Sequence, residues 1–174
     1  IGVLYGKAER LAEMPPWEGG GEMILTVSYE KVTFKAPPYR FEAGTPNIAG
    51  AVGLGAAVDY IESIGRQQIF EHDQQLALYA LERMEKIPGL RVLGPRDKRG
   101  GLVSFVMEAA HPHDLTTYAD QAGLALRGGH HCTQPLMRKM GLPGSTRASF
   151  YFYNTQEEVD RMIDILQAAQ RFFS

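Results

Sequence analysis

The sequence has 174 residues (19.3 kDa), of which 44% are apolar and 22% charged, with a net charge of −2. Those proportions fit one ordinary globular domain, or one small domain with part of another, and exclude disordered and fibrous classes. No apolar run approaches the roughly 20 residues of a membrane-spanning helix, and no basic block exceeds two residues, which excludes a membrane helix and argues against a nucleic-acid face. The single cysteine, Cys132, cannot form an internal disulfide, which points to a reducing compartment, the cytoplasm.

Ile1 to Gly6 reads as a buried strand followed by a turn, with no initiator Met and no charged leader. A strand at the terminus with no partner before it suggests a piece of something longer. Lys7 to Met14 predicts a short helix stopped by Pro15-Pro16. The loop Trp17 to Glu22 follows, and then Met23–Val27 and Val32–Phe34 form a predicted hairpin whose turn lacks an Asn-Gly pair. Ile48 to Ile64 predicts a helix crowded with small residues, entered through Gly44-Thr45-Pro46 with Thr45 as N-cap and Pro46 at the first helical position. Gly65 ends it, and a domain boundary is expected there, between residues 1–65 and 66–174.

Arg66 to Ile87 predicts a longer helix with Ile69, Leu76, Ala80, Met84 and Ile87 on its apolar face. Strands are expected at Leu90–Leu93, Leu102–Met107, Leu124–Arg127 and Arg147–Tyr153, with a helix over Pro112–Ala122 closed by Gly123. The last strand alternates, Ala148, Phe150 and Phe152 on one face, Ser149, Tyr151 and Tyr153 on the other. A capping box, Thr155 with Glu158, opens a final helix whose stripe is Val159, Met162, Ile163 and Leu166. The second half is therefore an α+β arrangement of a small sheet and covering helices.

The densest polar cluster is Arg127-Gly-Gly-His-His131-Cys132. A cysteine nucleophile needs access and neighbouring cations that favour its thiolate, and two glycines allow close backbone approach to a ligand. Three readings stand here: a small buried hydrophobe, a zinc ligand with His130 and His131, or a nucleophile. Zinc is disfavoured because adjacent residues on extended chain point oppositely and a closed site needs four ligands. Arg147 suits bidentate pairing with a carboxylate or a plain salt bridge, and Arg127 carries the same alternatives. Gly44-Thr45-Pro46, at a helix start, suits a phosphate or a simple cap. His111-Pro-His113-Asp114 reads as a helix start in preference to a pair of metal ligands.

Arg-Gly-Gly-His-His-Cys132-Thr-Gln-Pro, Arg147-Ala-Ser-Phe-Tyr-Phe-Tyr-Asn154-Thr, Arg40-Phe-Glu-Ala-Gly-Thr45-Pro-Asn and Gly19-Gly-Gly-Glu-Met23-Ile together resemble the SufS/CsdA-type (group II) cysteine desulfurases, pyridoxal-phosphate enzymes of the class V aminotransferase family. The resemblance runs from Ile1 into the final helix and covers the C-terminal portion of such an enzyme. It implies an α/β fold of the aspartate aminotransferase-like type (fold type I), with residues 1–65 as the remainder of the large cofactor-binding domain, bearing a protruding hairpin, and 66–174 as the small α+β domain. The family's Schiff-base lysine, its cofactor-stacking histidine and the aspartate at the pyridinium nitrogen would lie before Ile1, so these residues alone are expected to be inactive.

The resemblance further implies pyridoxal 5'-phosphate as cofactor, which serves as an electron sink, and L-cysteine as substrate, converted to alanine with a persulfide on Cys132. Arg147 would hold the substrate α-carboxylate, Arg127 and His131 would assist in the cysteine loop, and Thr45 with Gly44 would contact the cofactor phosphate of the neighbouring subunit in a homodimer. Gly20, Glu22 and Met23 would belong to a hairpin reaching over the partner's site. Sulfur would pass to an acceptor protein of the SufE/SufU type for iron–sulfur cluster assembly. Two alternatives remain open at the sequence: selenocysteine lyase activity on L-selenocysteine, and an inactive scaffold that only binds partners, including the N-terminal portion of the same protein.

Overall fold

The computed structural model describes residues 1–174, which divide into two compact units, Ile1–Ser63 and Ile64–Ser174. In the first unit, α1 (Ala8–Glu13) is short and ends before the proline pair, as its sequence dictates. β1 (Ile24–Val27) and β2 (Val32–Phe34) form an antiparallel hairpin. Its turn dispenses with Asn-Gly because the Ser28 hydroxyl accepts from the N–H groups of Glu30 and Lys31. The Arg40 guanidinium donates to the carbonyls of Ala12, Met14 and Lys35, tying α1 to the segment after the hairpin. Residues 1–7 are not a buried strand. They pair with nothing in a ladder, and Val3 and Tyr5 are 77% and 90% exposed.

α2 (Ile48–Ile64) has the predicted span but not the predicted start. Asn47 is its cap, with Oδ1 accepting the Gly50 N–H at 2.9 Å, so Thr45 and Pro46 lie outside the helix. The two-residue shift follows from the side-chain amide, whose oxygen reaches an N–H of the first turn.

Gly65, near the start of the second unit, has a φ of +96° that lets the chain leave one helix and start α3 (Arg66–Met84) at once. A four-stranded antiparallel sheet follows, in the order β3 (Leu90–Leu93), β4 (Leu102–Met107), β6 (Ser145–Ser149), β5 (Arg127–Gly129). Period-two alternation sends Val103, Phe105, Met107, Thr146 and Ala148 to one face. That face packs on α3, α4 (Pro112–Gln121) and α6 (Gln156–Phe173) around a core of Leu76, Leu81, Met84, Phe105, Leu115 and Leu166. The other face carries Ser104, Ser145, Arg147 and Arg127.

The predicted α6 capping box is present, Thr155 and Glu158 exchanging side-chain-to-backbone bonds, and its apolar stripe is buried. His111 is the cap of α4, its Nδ1 accepting the His113 N–H, with Pro112 in the first turn. The second unit differs from the sequence expectation at three further places. Leu124 and Leu126 pack against the core without ladder bonds, so β5 begins only at Arg127. β6 ends at Ser149, because the Asn154 side chain captures the Tyr151 N–H and folds residues 151–154 into a turn. A helix the sequence reading did not foresee, α5 (Gln134–Lys139), follows the cysteine.

Candidate functional site

The chain enters the site along β5, an edge strand whose backbone is pressed against α4. A Cβ on Gly128 would lie 2.8 Å from the Pro112 carbonyl oxygen and 3.0 Å from the Thr116 methyl carbon, so only glycine admits this contact. Gly129, at φ +121°, then turns the chain out of the sheet. Five residues later the chain enters α5, and between them lies a tight turn. The Thr133 N–H donates to the His130 carbonyl at 2.9 Å, and His131 and Cys132, the central residues, have φ of +54° and +61°. Positive φ at both positions with that bond defines a type I′ turn, whose natural occupants are Asn and Gly. Holding two ordinary side chains there costs about 1–2 kcal/mol each.

Cys132 at the tip is exposed, which removes the reading of it as a small buried hydrophobe. A terminal nitrogen of Arg127 points at its sulfur from 3.9 Å. Beside the turn lies an open cleft of about 570 Å³ lined by His130, Gln134, Pro135, Met137, Arg138 and Leu142. The sulfur is thus reachable from solvent, and the nearest charge directed at it is positive.

Arg127 and Arg147 sit directly opposite each other in the β5–β6 ladder. Like charges so placed repel, and neither arginine forms an ion pair within the chain. The Nε of Arg147 is buried with no hydrogen-bond partner. Two guanidinium groups without counter-ions, on one face of a sheet and one of them directed at an exposed thiol, have the chemistry to pair with a small anion such as a carboxylate.

His131 turns the other way. Its Nε2 lies 3.0 Å from the carbonyl oxygen of Ser145, and its Nδ1 is buried without a partner. Burial is the main cause that holds its pKa below the ordinary imidazole value; the Ser145 carbonyl opposes this, and the charges of Arg147, Arg127 and His130 reinforce it. Ser145 itself is buried, with a hydroxyl that also lacks a partner. The sequence reading missed Ser145 altogether, because it contributes through a main-chain oxygen that no residue pattern reveals. No group of three or more His, Cys, Asp or Glu side chains is placed to hold a metal ion.

In the first unit, Thr45 is exposed and its hydroxyl bonds to nothing in the chain. Gly44, at φ +78°, has its N–H committed to the Gly21 carbonyl at 2.9 Å, and nothing lies within 4 Å of where its Cβ would be. Thr45 therefore offers a free donor and Gly44 offers room, a set that fits a phosphate ester. No single helix of the chain is long and apolar enough to cross a membrane.

The family model for class-V aminotransferases matches residues 1–162. A probable cysteine desulfurase of Streptomyces coelicolor is 47% identical, the match covering 99% of this chain and 42% of that protein. A cysteine desulfurase of Haloferax volcanii is 49% identical, over 100% of this chain and 41% of that protein. Among solved structures, the S-sulfonic acid form of the cysteine desulfurase CsdA from Escherichia coli superposes with a TM-score of 0.90 at 38% identity, covering 97% of this chain and 42% of that one. The chain spans about 42% of the length of the relatives it matches.

Proposed function

The chain belongs to the class-V aminotransferase family, with the fold of the C-terminal part of a fold type I transferase, and from that premise we propose that it supplies the sulfur-accepting half of a pyridoxal-phosphate-dependent cysteine desulfurase. One observation carries the reading: an exposed thiol held at the tip of a strained turn beside two guanidinium groups that lack counter-ions. Relatives named cysteine desulfurase, at 47% and 49% identity, support it.

In this reading Arg147 takes the α-carboxylate of L-cysteine, for which its planar fork is suited. The carboxylate also relieves the repulsion between Arg147 and Arg127. So anchored, the substrate presents its sulfur to Cys132 Sγ. The thiolate attacks that sulfur, an S–S bond forms, and the substrate Cβ–S bond breaks with its electron pair left on carbon. A proton completes alanine, and Cys132 keeps the sulfane as a persulfide. Pyridoxal phosphate, when bound, delocalises the electrons left on the substrate. Thr45, with the room at Gly44, would hold a cofactor phosphate, that of the neighbouring subunit in a homodimer. The Schiff-base lysine is proposed to come from outside these residues, with 1–65 completing the large domain and 66–174 forming the small one.

The persulfide stands open to solvent and to the cleft beside α5, where an acceptor protein of the SufE/SufU type would collect it for iron–sulfur assembly in the cytoplasm. The test is Cys132→Ser in the holoenzyme. Alanine release should vanish while the visible cofactor band persists. Retained alanine release, or loss of the band, overturns the reading. Running L-selenocysteine beside L-cysteine separates desulfuration from selenocysteine cleavage, since a lyase specific for selenium leaves cysteine untouched.

A further inference from the structure

Two neighbouring residues with positive φ, neither of them glycine, carry the thiol. Ordinary L residues leave that region readily, so contacts outside the turn must hold them in it. The Thr133 N–H and hydroxyl both donate to the His130 carbonyl, which closes the turn but does not fasten it to the sheet. Beyond the last ladder pair, Gly129 with Ser145, the turn's side-chain tie to β6 is His131 Nε2 to the Ser145 carbonyl. A carbonyl oxygen only accepts, so Nε2 must carry a proton. The lowered pKa of the ring keeps it neutral near pH 7, with Nδ1 bare. A neutral ring whose single donor is engaged, and whose other nitrogen is buried, has nothing to offer a substrate carboxylate.

We propose that His131 is a positioning residue that, as the Nε2–H tautomer, clamps the His131–Cys132 turn to the Ser145 carbonyl and so fixes the direction in which Cys132 Sγ points. This departs from the sequence expectation that groups His131 with the substrate-binding arginines. Its consequence for turnover rests on Cys132 being the sulfur acceptor; the clamp itself does not.

Three holoenzyme variants test it. His131→Gln places an amide nitrogen near the position of Nε2 and keeps the donor. His131→Asn tolerates the left-handed backbone but is too short to reach, and His131→Leu removes the donor. Leu and Asn should lower kcat for sulfide release roughly ten- to a hundred-fold, with KM for L-cysteine unchanged within about two-fold, and Gln should recover most of the loss. The rate of Cys132 alkylation by iodoacetamide should change with Leu and Asn and return with Gln. Nitrogen NMR of the unsubstituted protein, which needs no variant to fold, should find Nε2 protonated and Nδ1 bare. An Nδ1-protonated or doubly protonated ring, a Leu variant with normal kcat and alkylation, or a change in KM in place of kcat overturns the clamp. Absence of sulfide release from the unsubstituted holoenzyme would instead overturn the desulfurase reading, while the tautomer and the alkylation order still decide the clamp.

Discussion

In the unit Ile64–Ser174 the side chains of α3, α4 and α6 close over one face of the sheet, and Phe105, Leu81, Met84 and Leu166 are sealed from water. In the unit Ile1–Ser63 only Met23 is buried. α2 lies mostly in this unit and buries no residue at all, although Ile48, Val52, Leu54 and Val58 are apolar. Helices in proteins draw most of their stability from packing, and each of the glycines at 50, 53 and 55 costs about 1 kcal/mol relative to alanine. The second unit thus holds its own core, whereas α2 leaves its apolar side chains exposed and buries none. The proposed chemistry is divided accordingly: the thiol and the arginines ride on the unit with a core of its own, and the phosphate-fitting Thr45 on the unit where only Met23 is buried.

Substitutions can break or sharpen that contrast. The largest effect is expected from Phe105→Ala, which opens a cavity at the centre of the sheet's packed face and should cost about 3–5 kcal/mol in denaturant unfolding. Gly128→Ala comes next, at roughly 1–3 kcal/mol, because its methyl would collide with the backbone of α4. The same substitution should displace β5, and the alkylation rate of Cys132 would report it. Thr155→Ala removes the cap of α6 and should cost about 1 kcal/mol. Val52→Ala, on α2 at 69% exposure, should change stability by less than about 0.5 kcal/mol in this chain. If Val52→Ala costs as much as Phe105→Ala, the contrast between the units is wrong.

The smallest effect is a pH slope. The folded ring of His131 binds its proton at lower pH than the unfolded one, so the unfolded state holds more protons between the two values. Stability should therefore be constant above the ordinary imidazole value, near 6.5, and fall as pH drops from there to the folded value. His131→Gln should flatten this part of the profile. A profile rising toward acid would contradict the burial of the ring.

What could be read from residues alone follows the range of the forces involved. α6 was legible because its capping box and its Val159–Met162–Ile163–Leu166 stripe are local patterns. The hairpin and the span of α2 were legible for the same reason. Leu124 and Leu126 misled because an apolar pair can enter a core without entering a ladder. Tyr151 and Tyr153 continued an alternation that the Asn154 side chain interrupts. At the site, Cys132, Arg127 and Arg147 stood out by type, yet the facing of the two arginines depends on strand register, and the engagement of His131 with a main-chain oxygen fourteen residues further along the chain depends on the fold. His131 and Cys132 are poor formers of a type I′ turn, so nothing in their identity announced one.

The turn also limits what the thiol can do. A sulfur at the end of a long tether can travel to its recipient, but here the backbone closes on itself immediately before and after the side chain, leaving one torsion to rotate. For the sulfane proposed on Cys132, that economy of chain favours a recipient that comes to the doorstep over delivery by excursion.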